Sequence, residues 1–273
     1  MTKKNTKILF LSDTHIGSKL AIFPEKFETS EGNIVKSNLI QDTIRKYFFN
    51  TLRNIESEFG SIDYIVHLGD TIQGPDRKGR KIFLSLSNLD DQIEAFCQLF
   101  KPLKEYQGIV LSNSNYHDSI DSRASKVIAD RFNWKFIETM TNITFKPSKR
   151  VFNIAHEISS SFVYLASTLD REGLFLKMAE AFNKFPKIDC VVRGHLHLFQ
   201  EIHQRDLHLL LVPGLTLLEP NKISVKYLGR KLPDIGFCVC IIDHKDRIRF
   251  LHFLYENDKA LYEYYFNKIL KET

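Results

Sequence analysis

The chain has 273 residues, of which 43% are hydrophobic and 26% are charged, and this balance excludes disordered and fibrous proteins. Its 38 lysines and arginines exceed its 33 aspartates and glutamates, and the net charge of +5 permits a polyanionic partner without requiring one. No internal repeat or linker-like segment divides the sequence, so we expect a single domain over residues 1–273.

Short apolar runs rich in β-branched and aromatic residues predict strands, and longer segments with helical spacing separate the early ones. The predicted strands are 7–13, 63–70, 108–113, 151–156, 189–195, 207–214, 235–243 and 248–256. The predicted helices are 38–57, 88–106, 121–132, 170–185 and 258–271, with loops at 18–37 and 71–87. The early alternation predicts a largely parallel sheet, and the strand-rich final third predicts antiparallel or mixed pairing.

The cysteines and the N-terminal segment indicate a reducing compartment. None of the four cysteines forms a C-x-x-C pair, and Cys238 and Cys240 lie in an apolar run typical of a buried strand. The apolar stretch after the basic N-terminus stops at Asp13. The sequence contains no uninterrupted run of about 18 apolar residues, which is the length needed to cross a membrane. We therefore expect a cytoplasmic protein with no membrane partner.

The segment "VVRGHLHLFQ" places His195 and His197 two residues apart after an apolar run. In an extended backbone such residues point to the same side, so both imidazoles could reach one metal ion. Two half-buried histidines with satisfied ring nitrogens would give the same pattern. The rest of the chain has to decide between these alternatives.

Five successive predicted strands end in side chains that can bind metal. In chain order these are Asp13 and His15, then Asp70, then Asn113, Asn115, His117 and Asp118, then His156, and finally His195 and His197. Because the carboxyl ends of parallel strands meet at one edge of a sheet, we expect these side chains to converge. Taken singly, the aspartates could cap helices and the asparagines are typical of turns.

The remaining histidines lie off these strand ends, and we expect structural or exposed roles for them. They are His67, His203, His208, His244 and His252.

Carboxylate, imidazole and amide donors without a thiolate suit divalent Mn, Fe, Zn or Ni. Two carboxylates (Asp13 and Asp70), four imidazoles (His15, His156, His195 and His197) and one amide are too many ligands for one such ion but suit two ions that share a bridging carboxylate. Two ions about 3.5–4 Å apart can hold a hydroxide between them and clamp a phosphate in line with it. We therefore expect two divalent metal ions, with Mn favoured over Fe, Zn and Ni.

In this order, "DTH", "GD", the asparagine block, "AH" and "GHLH" resemble the motif blocks of the calcineurin-like metallophosphoesterases, over roughly residues 7–200. The resemblance implies an α/β fold, a four-layer α/β/β/α sandwich with two mixed β-sheets and a binuclear site at the strand ends. It also implies that one ion is held by Asp13, His15 and His197, the other by Asn115, His156 and His195, with Asp70 bridging both.

The third block departs from the family pattern G-N-H-D, because this chain has "SNYHD" at residues 114–118. If Asn115 is the ligand, a one-residue bulge is needed to deliver His117 as a general acid. Aligning His117 with the family histidine instead puts Tyr116 in the ligand slot, and a third alternative makes Asn113 the ligand. We favour Asn115 with the bulge.

"SDTHIGS" together with "GDTIQG" is similar to the phosphodiesterase and nuclease side of the family. We therefore predict a phosphodiesterase acting on nucleotides or nucleic acid, with Asp70 bridging, His195 near the phosphoryl oxygens and His117 protonating the leaving group. A phosphomonoesterase acting on a small metabolite or phosphoprotein is the first alternative, and a non-catalytic scaffold is the second. The basic residues within 77–81 and 222–231 are candidate substrate contacts.

Overall fold

The structure is a computed structural model that describes residues 5–75, 83–112, 117, 123–158, 165–217, 233–256 and 258–269. The strands are β1 Thr6–Leu11, β2 Lys26–Glu28, β3 Ile34–Lys36, β4 Tyr64–His67, β5 Gln107–Leu111, β6 Lys135–Ile137, β7 Thr141–Thr144, β8 Val151–Ala155, β9 Cys190–Arg193, β10 Gln200–Gln204, β11 Leu207–Leu211, β12 Gly236–Ile242 and β13 Ile248–Leu254. The helices are α1 Leu39–Phe59, α2 Leu89–Phe100, α3 Arg123–Phe132 and α4 Leu165–Ala181, with a short helix at Asp258–Tyr264. A 3₁₀ turn covers Lys101–Leu103, and a π-helical turn covers Tyr265–Ile269.

Two mixed sheets form the centre of the fold. The larger has the order β13-β12-β1-β4-β5-β6, with β1, β4, β5 and β6 parallel and with β12 antiparallel to both its neighbours. The smaller has the order β10-β11-β9-β8-β7, with a parallel centre and an antiparallel strand on each edge. The predicted parallel start and mixed end of the chain are confirmed, but the five ligand-bearing strand ends belong to two sheets.

Three separate apolar clusters define the layers. The first lies between α1–α3 and the larger sheet and includes Phe48 and Phe237. The second, which includes Phe10 and Phe152, fills the space between the two sheets. The third packs Leu169 of α4 against the smaller sheet. The order is therefore helices, sheet, sheet, helix, and the predicted four-layer α/β/β/α sandwich is confirmed.

Helix α1 shows how the local sequence sets these layers. The Asn38 side chain accepts a hydrogen bond from the backbone amide of Gln41, and the Gln41 side chain accepts one from the Asn38 amide. This capping box satisfies amides that a helix start leaves free. The helix ends at Gly60, whose φ is 80°. Its buried face recurs at helical spacing, with Ile44, Phe48, Leu52 and Ile55 among its members.

Several short elements differ from the sequence prediction. The segment 18–37, predicted as a loop, contains the hairpin β2–β3, and α4 begins five residues before the predicted position 170. The strands β6, β7 and β10 were not predicted, because three to five half-exposed residues give no distinct alternation. All four cysteines were predicted to be buried thiols; Cys190, Cys238 and Cys240 are buried free thiols, whereas Cys97 is a free thiol that is only half-buried. Among the described helices, none has the length and apolar character needed to cross a membrane.

Candidate metal centre

The strand ends of both sheets turn through an unusual backbone conformation. Of eight described non-glycine residues with positive φ, five are predicted ligands: Asp13 (51°), His15 (40°), Asp70 (49°), His195 (73°) and His197 (53°). Left-handed backbone is uncommon for residues with a side chain, and clusters of it mark functional sites. These turns point five polar side chains away from the strand direction and toward each other.

The left-handed backbone directs the two histidines of "GHLH" toward different partners. Strand β9 ends at Arg193, and both His195 and His197 are left-handed, so the predicted extended backbone is wrong. The ring of His195 faces His156, with 3.3 Å between Nδ1 and Nε2. The ring of His197 faces His15, with 3.3 Å between the two Nε2 atoms. The two imidazoles therefore belong to different clusters.

The first cluster, which we call the Asp13 cluster, consists of Asp13, His15 and His197. The Oδ1 atom of Asp13 lies 3.7 Å from Nε2 of His15 and 3.2 Å from Nε2 of His197. Burial alone raises the pKa of the Asp13 carboxyl, but the charge of His197 and the nearby rings of His197 and His15 hold it well below its usual value. Burial lowers the pKa of His15 to about 3, so that ring is neutral and able to donate a lone pair.

The second cluster, which we call the Asp70 cluster, consists of Asp70, His156 and His195. Oδ2 of Asp70 lies 3.2 Å from Nε2 of His156. Burial opposes both charges, yet their mutual attraction lowers the pKa of Asp70 and raises the pKa of His156 to about 9. In the metal-free chain this pair is therefore an ion pair, and a metal ion would take the place of the His156 proton.

The spacing and the bonding of these atoms fit metal binding. Four ligands about 2.1 Å from a zinc-like ion in tetrahedral geometry are about 3.4 Å apart. The separations of 3.2 and 3.3 Å in both clusters match this value. Among the described residues, the fully buried Oδ1 of Asp13 has no hydrogen-bond partner, while its Oδ2 accepts from Ser12 Oγ and the His195 amide. An unpartnered buried carboxylate oxygen is costly unless a cation neutralises it.

The motif glycines keep the strand ends close together. Gly69 has φ 123°, and a Cβ there would lie 2.5 Å from the Ser112 carbonyl oxygen and 2.8 Å from the His156 ring. A Cβ on Gly194 would lie 2.1 Å from Oγ of Ser12. Each position therefore excludes a side chain, since a side chain would push a ligand-bearing turn away from its neighbour.

His117 lies in the same site. Its Nδ1 is 2.7 Å from the carbonyl oxygen of Gln73, its Nε2 is 4.0 Å from Oδ2 of Asp70, and its ring meets that of His15 edge-on at 4.4 Å. His117, His15 and Asp70 form a third possible metal-binding group. The 4.0 Å separation exceeds the ligand spacing of the other two clusters, so His117 fits better beside the metals than in their coordination shell.

Other predicted site residues lie outside the described part of the chain. They are the alternative amide ligands Asn113 and Asn115, their neighbours Tyr116 and Asp118, and the basic residues within 77–81 and 222–231. The choice between the two asparagines stays open.

His67 is a site residue that the sequence motifs do not single out. It is fully buried on β4, and its Nε2 lies 3.0 Å from Oγ1 of Thr14. The Thr14 hydroxyl donates its only proton to the Thr71 carbonyl, so His67 Nε2 must be the donor to Thr14. Its Nδ1 accepts from the Gly69 amide. His67 therefore connects the turn that carries Asp13 and His15 to the turn that carries Asp70.

We expect His67→Phe to weaken metal binding roughly 10–100-fold, because the loss of a supporting hydrogen bond lets the ligand turns separate. Titration of the stripped protein with Co²⁺, followed by visible absorption, measures this directly. His252→Phe on β13 is the matched control and should bind Co²⁺ as the parent does. Unchanged Co²⁺ affinity in a folded His67→Phe variant would show that the hydrogen bonds of His67 do not support the metal centre.

No protein-family model and no curated protein matches the sequence. Among solved structures, the chain is similar to GAP50, the anchor in the inner membrane complex of Plasmodium, with 13% identity over 93% of this chain and 86% of that chain and a TM-score of 0.50. It is also similar to Vps29 from Entamoeba histolytica complexed with zinc, with 12% identity, 91% and 99% coverage and a TM-score of 0.45. An archaeal phosphodiesterase matches with 13% identity, 91% and 100% coverage and a TM-score of 0.45. At these identities the likeness concerns the fold alone. The layer order and the likeness to GAP50 agree, and the chain has the calcineurin-like metallophosphoesterase fold.

Proposed function

We propose that the chain is a metal-dependent phosphodiesterase. The observation that carries the proposal is the position of Asp70, whose buried carboxylate belongs both to a cluster with His156 and His195 and to a group with His15 and His117. A carboxylate shared in this way is what a pair of neighbouring divalent ions requires.

The donor set supports two hard or borderline divalent ions, of which Mn is our favoured metal. The Asp13 cluster would hold one ion, the Asp70 cluster the other, and Asp70 would bridge them. When bound, the ions would supply Lewis acidity and activate water for attack on phosphorus. The residues of the chain would then bind the phosphate, donate a proton to the leaving group and hold the ligand side chains in position.

His117 is placed to move a proton. Its Nδ1–H donates to the Gln73 carbonyl, and this fixes the ring so that Nε2 faces Asp70 and the interior of the site. From there Nε2 can protonate an alkoxide as it leaves phosphorus. His195 differs from the other ligands because it is exposed to solvent, and this is where an incoming phosphoryl group would meet the protein.

The predicted preference for diesters over monoesters is supported by the two turns "SDTHIGS" and "GDTIQG". Nucleotides or nucleic acid are the substrate class that we propose. A phosphomonoesterase or a non-catalytic scaffold would have the same fold as a phosphodiesterase. Activity measurements are therefore needed to distinguish these three functions.

Metal-stripped protein with Mn²⁺ restored should hydrolyse bis(p-nitrophenyl) phosphate faster than p-nitrophenyl phosphate, and stripping should abolish both activities. Preference for the monoester would contradict the phosphodiesterase proposal in favour of a phosphatase. No turnover by protein that binds no metal would favour the scaffold.

Asp70→Asn should reduce diester turnover by at least about 10²-fold and weaken both ion sites, because an amide neither bridges two cations nor neutralises them. Turnover and Mn²⁺ stoichiometry, measured on the same sample, check both effects. Asp206→Asn, a surface change at the partner of Lys177, is the control and should leave both unchanged. Full turnover in Asp70→Asn would rule out the bridging role.

His117→Gln should slow hydrolysis of a dinucleotide by roughly 10²–10⁴-fold, since its alkoxide leaving group needs a proton. The same change should affect bis(p-nitrophenyl) phosphate far less, because p-nitrophenolate leaves without protonation. The ratio of the two rates separates acid catalysis from a general loss of structure. Equal losses on both substrates would contradict the role of general acid.

A further inference from the structure

A cavity of about 500 Å³ opens directly beside the Asp70 cluster. It lies between α4 and the ends of β5, β8 and β9, and both His156 and Ser112 contribute to its wall. Ligand pockets commonly have volumes of about 300–1,000 Å³, and the observed volume accommodates a nucleoside. A phosphate at the metal centre would therefore have one of its ester arms next to this cavity.

The two basic residues in the described lining are not available to a ligand as cations, since His156 pairs with Asp70 and Arg193 pairs with Glu172. Arg193 is 1% exposed, and its guanidinium donates to the Asn153 carbonyl, to Asn153 Oδ1 and, over 3.0 Å, to Oε2 of Glu172. These contacts join β8, β9 and α4. The Glu172 carboxylate neutralises the arginine, so the pair gives the cavity no net charge.

Two further glutamates in the lining have no such partner. Glu138 and Glu157 are both exposed, and neither makes a hydrogen bond or ion pair within the described residues. Both carboxylates are acceptors only. The cavity therefore repels a second phosphate and attracts N–H donors, so the ester arm that enters it is not the next phosphate of a nucleic-acid strand.

The remaining walls are apolar and unusually exposed. Phe175 on α4 is 62% exposed and Met140 is 40% exposed, while Leu176 is buried beneath them. Large apolar side chains grouped at a surface mark binding sites more often than chance exposure does. An aromatic ring and a thioether are partners on which a flat heteroaromatic group can stack.

We propose that this cavity is a subsite for a nucleobase that carries an exocyclic amine. The amine donates to Glu138 and Glu157, and the base stacks on Phe175 beside Met140. The inference rests on the proposed function, because it assigns the ester arm of the same phosphodiester. It narrows the substrate to nucleotides or strand ends whose base lies next to the scissile phosphate, with cytosine, adenine and guanine favoured over uracil and thymine.

Cytidine and uridine differ at the group that the glutamates would recognise, since N4 of cytosine is a donor and O4 of uracil is an acceptor. We expect the p-nitrophenyl ester of cytidine 5′-monophosphate to have a kcat/KM at least about fivefold above that of the uridine ester. Glu138→Gln should reduce this ratio toward one, because an amide can donate to O4. Glu58→Gln on α1, which does not line the cavity, is the matched control and should keep the parental ratio.

Phe175→Leu should weaken binding of both nucleotides by about fivefold or more, since stacking on the ring is lost. Phe182→Leu is its control, because Phe182 is 70% exposed and does not line the cavity. Calorimetry of the metal-free variants with cytidine and uridine 5′-monophosphate measures this binding independently of turnover.

The outcomes separate the subsite from the proposed function. A cytidine-to-uridine ratio near one in the parent, with bis(p-nitrophenyl) phosphate still hydrolysed, would overturn the subsite and leave the phosphodiesterase standing. Parental binding by Phe175→Leu would also overturn it. Absence of turnover on every diester with two ions bound, while cytidine monophosphate still binds better than uridine monophosphate, would overturn the proposed function alone.

Discussion

The candidate metal centre takes its ligands from both sheets, and the carboxylate of Asp13 joins the two sheets. Its Oδ2 accepts the Ser12 hydroxyl from its own sheet and the His195 amide from the other. Its backbone carbonyl accepts from the amide of Leu215, which also lies beyond the smaller sheet. With one oxygen held in this way, the second oxygen is fixed toward His15 and His197. The site therefore forms only when the two sheets pack together.

Much of this arrangement could be predicted from the sequence, for an identifiable reason. Buried parallel strands are short apolar runs, and polar residues directly after them converge wherever the strands share an edge. The order of Asp13, Asp70, His156 and His195 along the chain carries that signal. Most of the strands followed from the same runs, and the layer order followed from the resemblance of the motif blocks.

The parts that could not be predicted depend on contacts between distant segments. The two-residue spacing of His195 and His197 alone favoured one shared face, whereas the motif resemblance assigned the two residues to different ions. The left-handed backbone after β9 is what separates them. The connection that His67 makes between the two ligand turns depends on its hydrogen bond to the Thr14 hydroxyl. The sequence position of a histidine inside a strand does not indicate that partner. The edge strands β6, β7 and β10 form by pairing with neighbours and not by their own pattern.

The electrostatics indicate that this region serves function more than stability. Asp13 and Asp70 are 0% and 1% exposed, and they are surrounded by four largely buried histidines, His15, His117, His156 and His197. Buried carboxylates cost free energy unless cations compensate them, and the protonated His156 does so for Asp70 only in part. The strained turns add to that cost. Bound cations would stabilise the buried carboxylates and the strained turns at once. The glutamates of the neighbouring cavity would then contact the ester group of the substrate and not its phosphate.

The most direct test of a two-ion centre is electron paramagnetic resonance of the protein loaded with two equivalents of Mn²⁺. Ions about 3.5–4 Å apart that share the Asp70 carboxylate should give an exchange-coupled signal. They should not give the six-line pattern of isolated Mn²⁺. A coupled signal at two ions per chain is the predicted result. Isolated six-line spectra at every loading, or saturation at one ion, would contradict the shared carboxylate on which the account depends.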